Sequence, residues 1–126
     1  MVPGNDVVYT ITFTNIGDGD ADNNSVVIID AMPPEIEFYN GDIDDGGPET
    51  TAVTGTDNAS NLTFNYATDV RYSNASSAPA NFGACGYTPS AGYDPAVTYI
   101  CVNPKGAMAA GSPDPSFDVK FRARIK

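Results

Sequence analysis

Apolar and polar positions alternate most cleanly at the two ends of the chain. Near the start, Val7, Tyr9, Ile11 and Phe13 interleave with Val8, Thr10, Thr12 and Thr14. Near the end, Phe117, Val119, Phe121, Ala123 and Ile125 interleave with Asp118, Lys120, Arg122, Arg124 and Lys126. A period of two places the sets on opposite faces of an extended chain, so 7–14 and 117–125 are predicted strands with one buried face. Shorter apolar or alternating runs at 26–30, 35–39, 62–66 and 97–102 predict further strands, with a weaker one at 50–54, and 69–72 is either a strand or a loop segment. Asn15-Ile16-Gly17-Asp18-Gly19-Asp20 and Met32-Pro33-Pro34 punctuate them with turn chemistry. Residues 40–60 are rich in Gly, Asp, Asn and Thr, and 73–96 read as a long irregular excursion. No stretch of about ten residues carries a 3.6 period free of Gly and Pro, so no helix is predicted. The expected fold is all-β, a sandwich of two antiparallel sheets with about 7–9 strands, formed by residues 1–126 as one domain.

Charge changes this picture in one respect. The formal net charge is −10, from 16 acidic and 6 basic residues. Residues 1–113 hold 14 acids and 2 bases, whereas 114–126 hold 2 acids and 4 bases, so an acidic body ends in a basic strand. An acidic body excludes nucleic acid as a natural partner, because phosphate contacts need a basic face. The basic strand is either a solvated face or a contact complementary to a neighbouring acidic copy. No apolar run approaches the ~18 residues that cross a bilayer, so membrane insertion is not expected. The first residues have neither a basic start nor an apolar targeting core, so an export signal is not expected within this sequence.

Cys85 and Cys101 are 16 positions apart and enclose a segment with little apolar content of its own. Two buried thiols or one disulfide would satisfy the composition. The disulfide is favoured, because it would tie the excursion at both ends, and it implies an oxidising compartment. A zinc site lacks further ligands, since the chain has no histidine.

The string Val2-Pro3-Gly4, then 8–21 (Val8-Tyr9-Thr10-Ile11-Thr12-Phe13-Thr14-Asn15-Ile16-Gly17-Asp18-Gly19-Asp20-Ala21), then Val26-Val27-Ile28-Ile29-Asp30-Ala31-Met32-Pro33 resembles a known family. It is similar to the conserved repeat domain, a domain of unknown function, of bacterial and archaeal cell-surface proteins. Residues 2–39 carry the resemblance, and 117–125 look like the family's closing strand. The resemblance implies an Ig-like sandwich, an extracellular location, tandem arrangement and no assigned activity. It also implies a strand ahead of the Pro-Gly turn, where this sequence has only Met1 and Val2. A sandwich lacking that strand would expose an edge to a donated one. Phe117, Val119, Phe121, Ile125, Lys120, Arg122 and Arg124 of the terminal strand are the candidate contact with a partner. Self-association or contact with neighbouring repeats is therefore the expected partnership.

Catalysis is not expected. Without histidine, serine and cysteine triads are excluded, and the scattered acids sit in turn-like sequence. No cofactor is required, and calcium is the one ion for which ligands are on offer. Asp18, Asp20 and Asp22 alternate in one turn, and Asp42, Asp44 and Asp45 form a second, weaker set. The competing reading is that these carboxylates bond their own backbone. Tyr87, Tyr93 and Tyr99 around the excursion are a candidate patch for a glycan or a host protein, against the alternative that they pack the loop down. Asn23, Asn58, Asn61 and Asn74 start glycosylation-type triplets, which predicts exposure of those segments.

Overall fold

A computed structural model describes residues 4–126. The eight strands are β1 (Asp6–Thr14), β2 (Ile28–Ala31), β3 (Ile36–Asn40), β4 (Val53–Asn58), β5 (Val70–Ser73), β6 (Gly92–Asp94), β7 (Tyr99–Val102) and β8 (Ser116–Ile125). They form two antiparallel sheets, the sandwich that the alternation predicts.

The larger sheet is organised around β8. Along one edge β1 pairs with it without interruption, from Asp6 opposite Arg124 to Thr14 opposite Ser116. Along the other edge β4 takes the first half of β8, and β3 takes its last residues. β6 then extends the sheet beyond β3. The smaller sheet has β7 between β2 and β5. The two strands with the cleanest alternation are thus immediate neighbours, although they lie at opposite ends of the chain.

The inward set of β8 is buried as its period predicts: Phe117, Val119, Phe121 and Ala123 join Ile36, Phe38, Val53, Ile100 and Val102. Phe121 lies between the rings of Tyr9 at 5.3 Å and Phe38 at 6.3 Å, and Phe38 reaches Tyr72 of the other sheet at 5.0 Å. The two fully buried phenylalanines, Phe38 and Phe121, each contribute about 1.5–3 kcal/mol of transfer free energy.

Three expectations change. Residues 62–66 are not a strand. Thr63 makes one bridge to Lys105, and Asn65 then caps a short helix, α1 (Tyr66–Asp69), by accepting from the Ala67 N–H at 3.0 Å. Asparagine's capping geometry outweighs a five-residue alternation. The 50–54 strand begins later, at Val53. The excursion is also not wholly irregular. It contains a turn of 3₁₀ helix (Phe82–Ala84) and β6, and it is fastened by the Cys85–Cys101 disulfide. Both cysteines are fully buried. The four asparagines of the glycosylation-type triplets are exposed. The strand that the family resemblance places ahead of the Pro-Gly turn falls at positions outside the described residues. Among the described residues no helix is long and apolar enough to cross a membrane.

Candidate functional site

The longest free edge of the sandwich belongs to β1. Its ladder to β8 is framed by the Ile125 N–H donating to the Asn5 carbonyl and the Asn15 N–H donating to the Pro115 carbonyl. Antiparallel bonding alternates along a strand, so Val7, Tyr9, Ile11 and Phe13 spend their backbone groups on β8. Val8, Thr10, Thr12 and Thr14 then turn their N–H and C=O groups outward. Among the described residues no strand pairs with that outer edge. From Val7 to Thr14 there is no charge, proline or glycine. These are the usual devices that stop one edge from pairing with another.

Side chains along β1 agree with an uncovered edge. Tyr9, Ile11 and Phe13 pack against the core yet stay only half-buried. Three large hydrophobics remain exposed among the described residues: Ile16 at 82%, Val8 at 44% and Val27 at 43%. All three lie on β1 or on the connection from it to β2. Other edges are shorter or carry protection: β4 pairs only with β8, but its six residues include Gly55 and Asp57 on the outer edge. β6 has three residues, and β5 is met by the Tyr87 N–H donating to the Tyr72 carbonyl at 2.9 Å. On β2, Asp30 sits opposite the core residue Ile100 and so faces the space between the sheets. Burial alone raises its carboxyl above the ordinary range. An inward carboxylate is itself a protective device for an edge strand.

Two of the three basic residues of β8, Arg122 and Arg124, are engaged within the fold. Arg122 bonds Asp6 at 2.6 Å and lies 4.4 Å over the Tyr39 ring. Arg124 pairs with Glu37 and lies 3.8 Å over the Tyr93 ring. The Tyr39 and Tyr93 rings meet at a tilt with centroids 4.8 Å apart, and the Tyr93 hydroxyl donates to Asp6. The Tyr93 and Arg122 donors together hold the Asp6 carboxyl below its usual value. This network links β1, β8, β3 and β6 across the outer face. The terminal strand is therefore not a free donor. Its apolar residues Phe117, Val119 and Phe121 are in the core, Ile125 pairs with Ile36, and both edges of the strand are occupied. Lys120 pairs in register with Thr10 and Thr54, on the same outer face. The residue-level reading of a partner-strand contact on β8 is corrected: the edge left open is β1, which β8 supports. Tyr39, Asp6 and Glu37 were not singled out as site residues by the sequence. The outward position of Glu37 and Tyr39 in an alternating strand was the available signal.

Tyr87, Tyr93 and Tyr99 do not form one patch. Tyr93 lies in the outer-face network. Tyr99 lies on β7 two residues from Cys101, on the same face of the smaller sheet. Tyr87 packs toward the core and donates to Asp94 at 2.7 Å. Tyr87 does line a cleft of ≈ 410 Å³ with Asn40, Tyr66, Arg71, Tyr72 and the buried Cys85. The Tyr66 and Tyr72 hydroxyls bond each other there at 2.7 Å, and burial pushes the Tyr72 phenol well above its ordinary range.

One carboxylate of the first acidic turn and two of the second accept backbone N–H groups. Asp20 accepts from the Ala110 N–H at 3.0 Å, while Asp18 and Asp22 are exposed. Asp42 accepts from the Asp44 N–H at 2.8 Å, and Asp45 accepts from the Gly47 N–H at 3.1 Å. Among the described residues no three acidic side chains converge as metal ligands would. No protein-family model, curated protein or solved structure matches the chain.

Proposed function

We propose that this chain is a non-catalytic, extracellular structural or assembly module of a prokaryotic surface protein or surface filament, joined to its neighbours by β-strand pairing. The observation that carries this reading is the outer edge of β1, which has no charge, proline or glycine from Val7 to Thr14 and no paired strand among the described residues. An edge of that length normally carries a charge, a proline or a bulge. Leaving it bare suits a chain whose use is to add strands. The disulfide is compatible with an oxidising compartment, and the surface-protein assignment rests on the resemblance of residues 2–39.

Electron microscopy of surface material, with gold-labelled antibody to this chain, tests the reading. Labelled fibres or stalks are expected. Label confined to soluble, unassembled material would contradict it.

A second reading is an adhesin or carbohydrate-binding module using the 73–101 region. The Tyr66–Tyr72–Tyr87 cleft favours it, since hydroxyls and one arginine beside aromatic rings suit a small polar ligand. Screening on a glycan array, with Arg71→Ala as control, separates the two. Binding that this variant abolishes would favour the second reading.

A further inference from the structure

β1 is not only open; it is complementary to itself. We infer that the partner for this edge is a second copy of the same strand, paired antiparallel about a two-fold axis at Thr10. The inference rests on the reading of β1 as a joining edge and specifies its occupant.

Register parity is the first support. The outward N–H and C=O groups belong to Val8, Thr10, Thr12 and Thr14, as the pairing with β8 dictates. Two copies can bond only if even positions meet even positions. Centring on Thr10 does this along the whole strand: Thr10 meets Thr10, Val8 meets Thr12, and Asp6 meets Thr14.

Side-chain chemistry is the second support. In that register no two like charges face each other, although each chain carries a net charge of −10. On the inner face Tyr9 meets Ile11 and Val7 meets Phe13, so half-exposed apolar residues cover their counterparts. Cross-strand pairs of aromatic and β-branched residues stabilise antiparallel strands by roughly 0.2–1 kcal/mol each. On the outer face Val8, 44% exposed, comes against a threonine methyl.

Two-fold pairing closes on itself. Alone it yields pairs of chains with one continuous sheet, and longer assemblies then need a second contact or tandem units. The arrangement therefore cross-links stalks or protofilaments side by side.

The test uses the whole chain with its disulfide intact. Sedimentation equilibrium is expected to show monomers and dimers in exchange. Thr10→Lys sets two like charges on the axis, and Thr10→Pro removes an outward N–H that β8 does not use. Both are expected to be monomeric, with circular dichroism unchanged. Nitroxides at Thr10→Cys are expected within about 20 Å of each other, as neighbouring strands lie ~4.8 Å apart. Labels at Thr14→Cys fall eight residues out of register, which places those positions about 27 Å apart along the strands at ~3.4 Å per residue. A wild-type chain monomeric at millimolar concentration overturns the inference. So does a dimer insensitive to both Thr10 substitutions. If the Val8, Thr10 and Thr12 amides become protected on association but position 10 is no closer than position 14, strand joining stands and the two-fold register falls.

Discussion

Gly55 shows how one residue's size sets the packing of the larger sheet. A Cβ there would lie 2.7 Å from both Phe117 Cζ and Phe64 Cγ. The missing side chain lets Phe64 close over the Phe117 ring from outside the strands. Gly55→Ala is expected to cost about 1–3 kcal/mol by overpacking, read as a lower urea midpoint. Charge at single residues sets the pH response. Burial raises the Asp69 carboxyl, but Lys105 at 2.9 Å, the Asn65 N–H and the Thr68 hydroxyl outweigh it and leave it lowered. Asp94 is lowered in the same way, by the Ser90 N–H, the Tyr87 hydroxyl and the Ala96 N–H against burial. With Asp6 these are carboxyls whose folded pKa lies below the unfolded value of about 3.9. Their stabilisation is complete above that value and is lost as pH falls through the folded one, because the unfolded chain takes up protons first. Asp30 has the opposite sign: its folded pKa is raised, so its charged form opposes folding at neutral pH. Asp30→Asn is expected to raise the melting temperature at pH 7 and leave it nearly unchanged at pH 3. Equal shifts at both pH values would contradict this sign.

At the scale of elements, the disulfide and the strand edges differ in how far they could be read in advance. Cysteine spacing and the weak composition between Cys85 and Cys101 indicated a tie. Loss of a loop closure of that size is expected to cost about 3 kcal/mol in the chain-entropy model. Cys85→Ser with Cys101→Ser, followed by urea denaturation, measures it. β1 and β8 were legible for a physical reason. Each has one face against the core and the other toward solvent, so burial is written as alternation. Residues 62–66 alternate too, but Asn65 caps α1 and turns the chain. β6 could not be read, because three residues of Gly-Tyr-Asp carry no period. Pairing was legible least of all. Nothing local indicates that β8 would sit between β1 on one edge and β3 and β4 on the other, so its basic face was open to being read as a partner surface.

The described residues form a sandwich with one long bare edge, and the chain carries a net charge of −10. Bare edge and uniform charge act against each other. The charge keeps copies apart at long range, and the edge joins them at contact. Salt shortens the reach of the repulsion from about 30 Å at ~10 mM to about 8 Å at ~150 mM, so association is expected to strengthen over that range. Sedimentation across that range checks it, and weakening with salt would point to a contact made of opposite charges instead. The claim that β1 is the joining edge is tested most directly by amide hydrogen exchange along that strand at several protein concentrations. The Val7, Tyr9, Ile11 and Phe13 amides, bonded to β8, are predicted to be protected throughout. The Val8, Thr10 and Thr12 amides are predicted to exchange freely when dilute and to become protected as concentration rises. Free exchange of those three amides at every concentration would contradict the account.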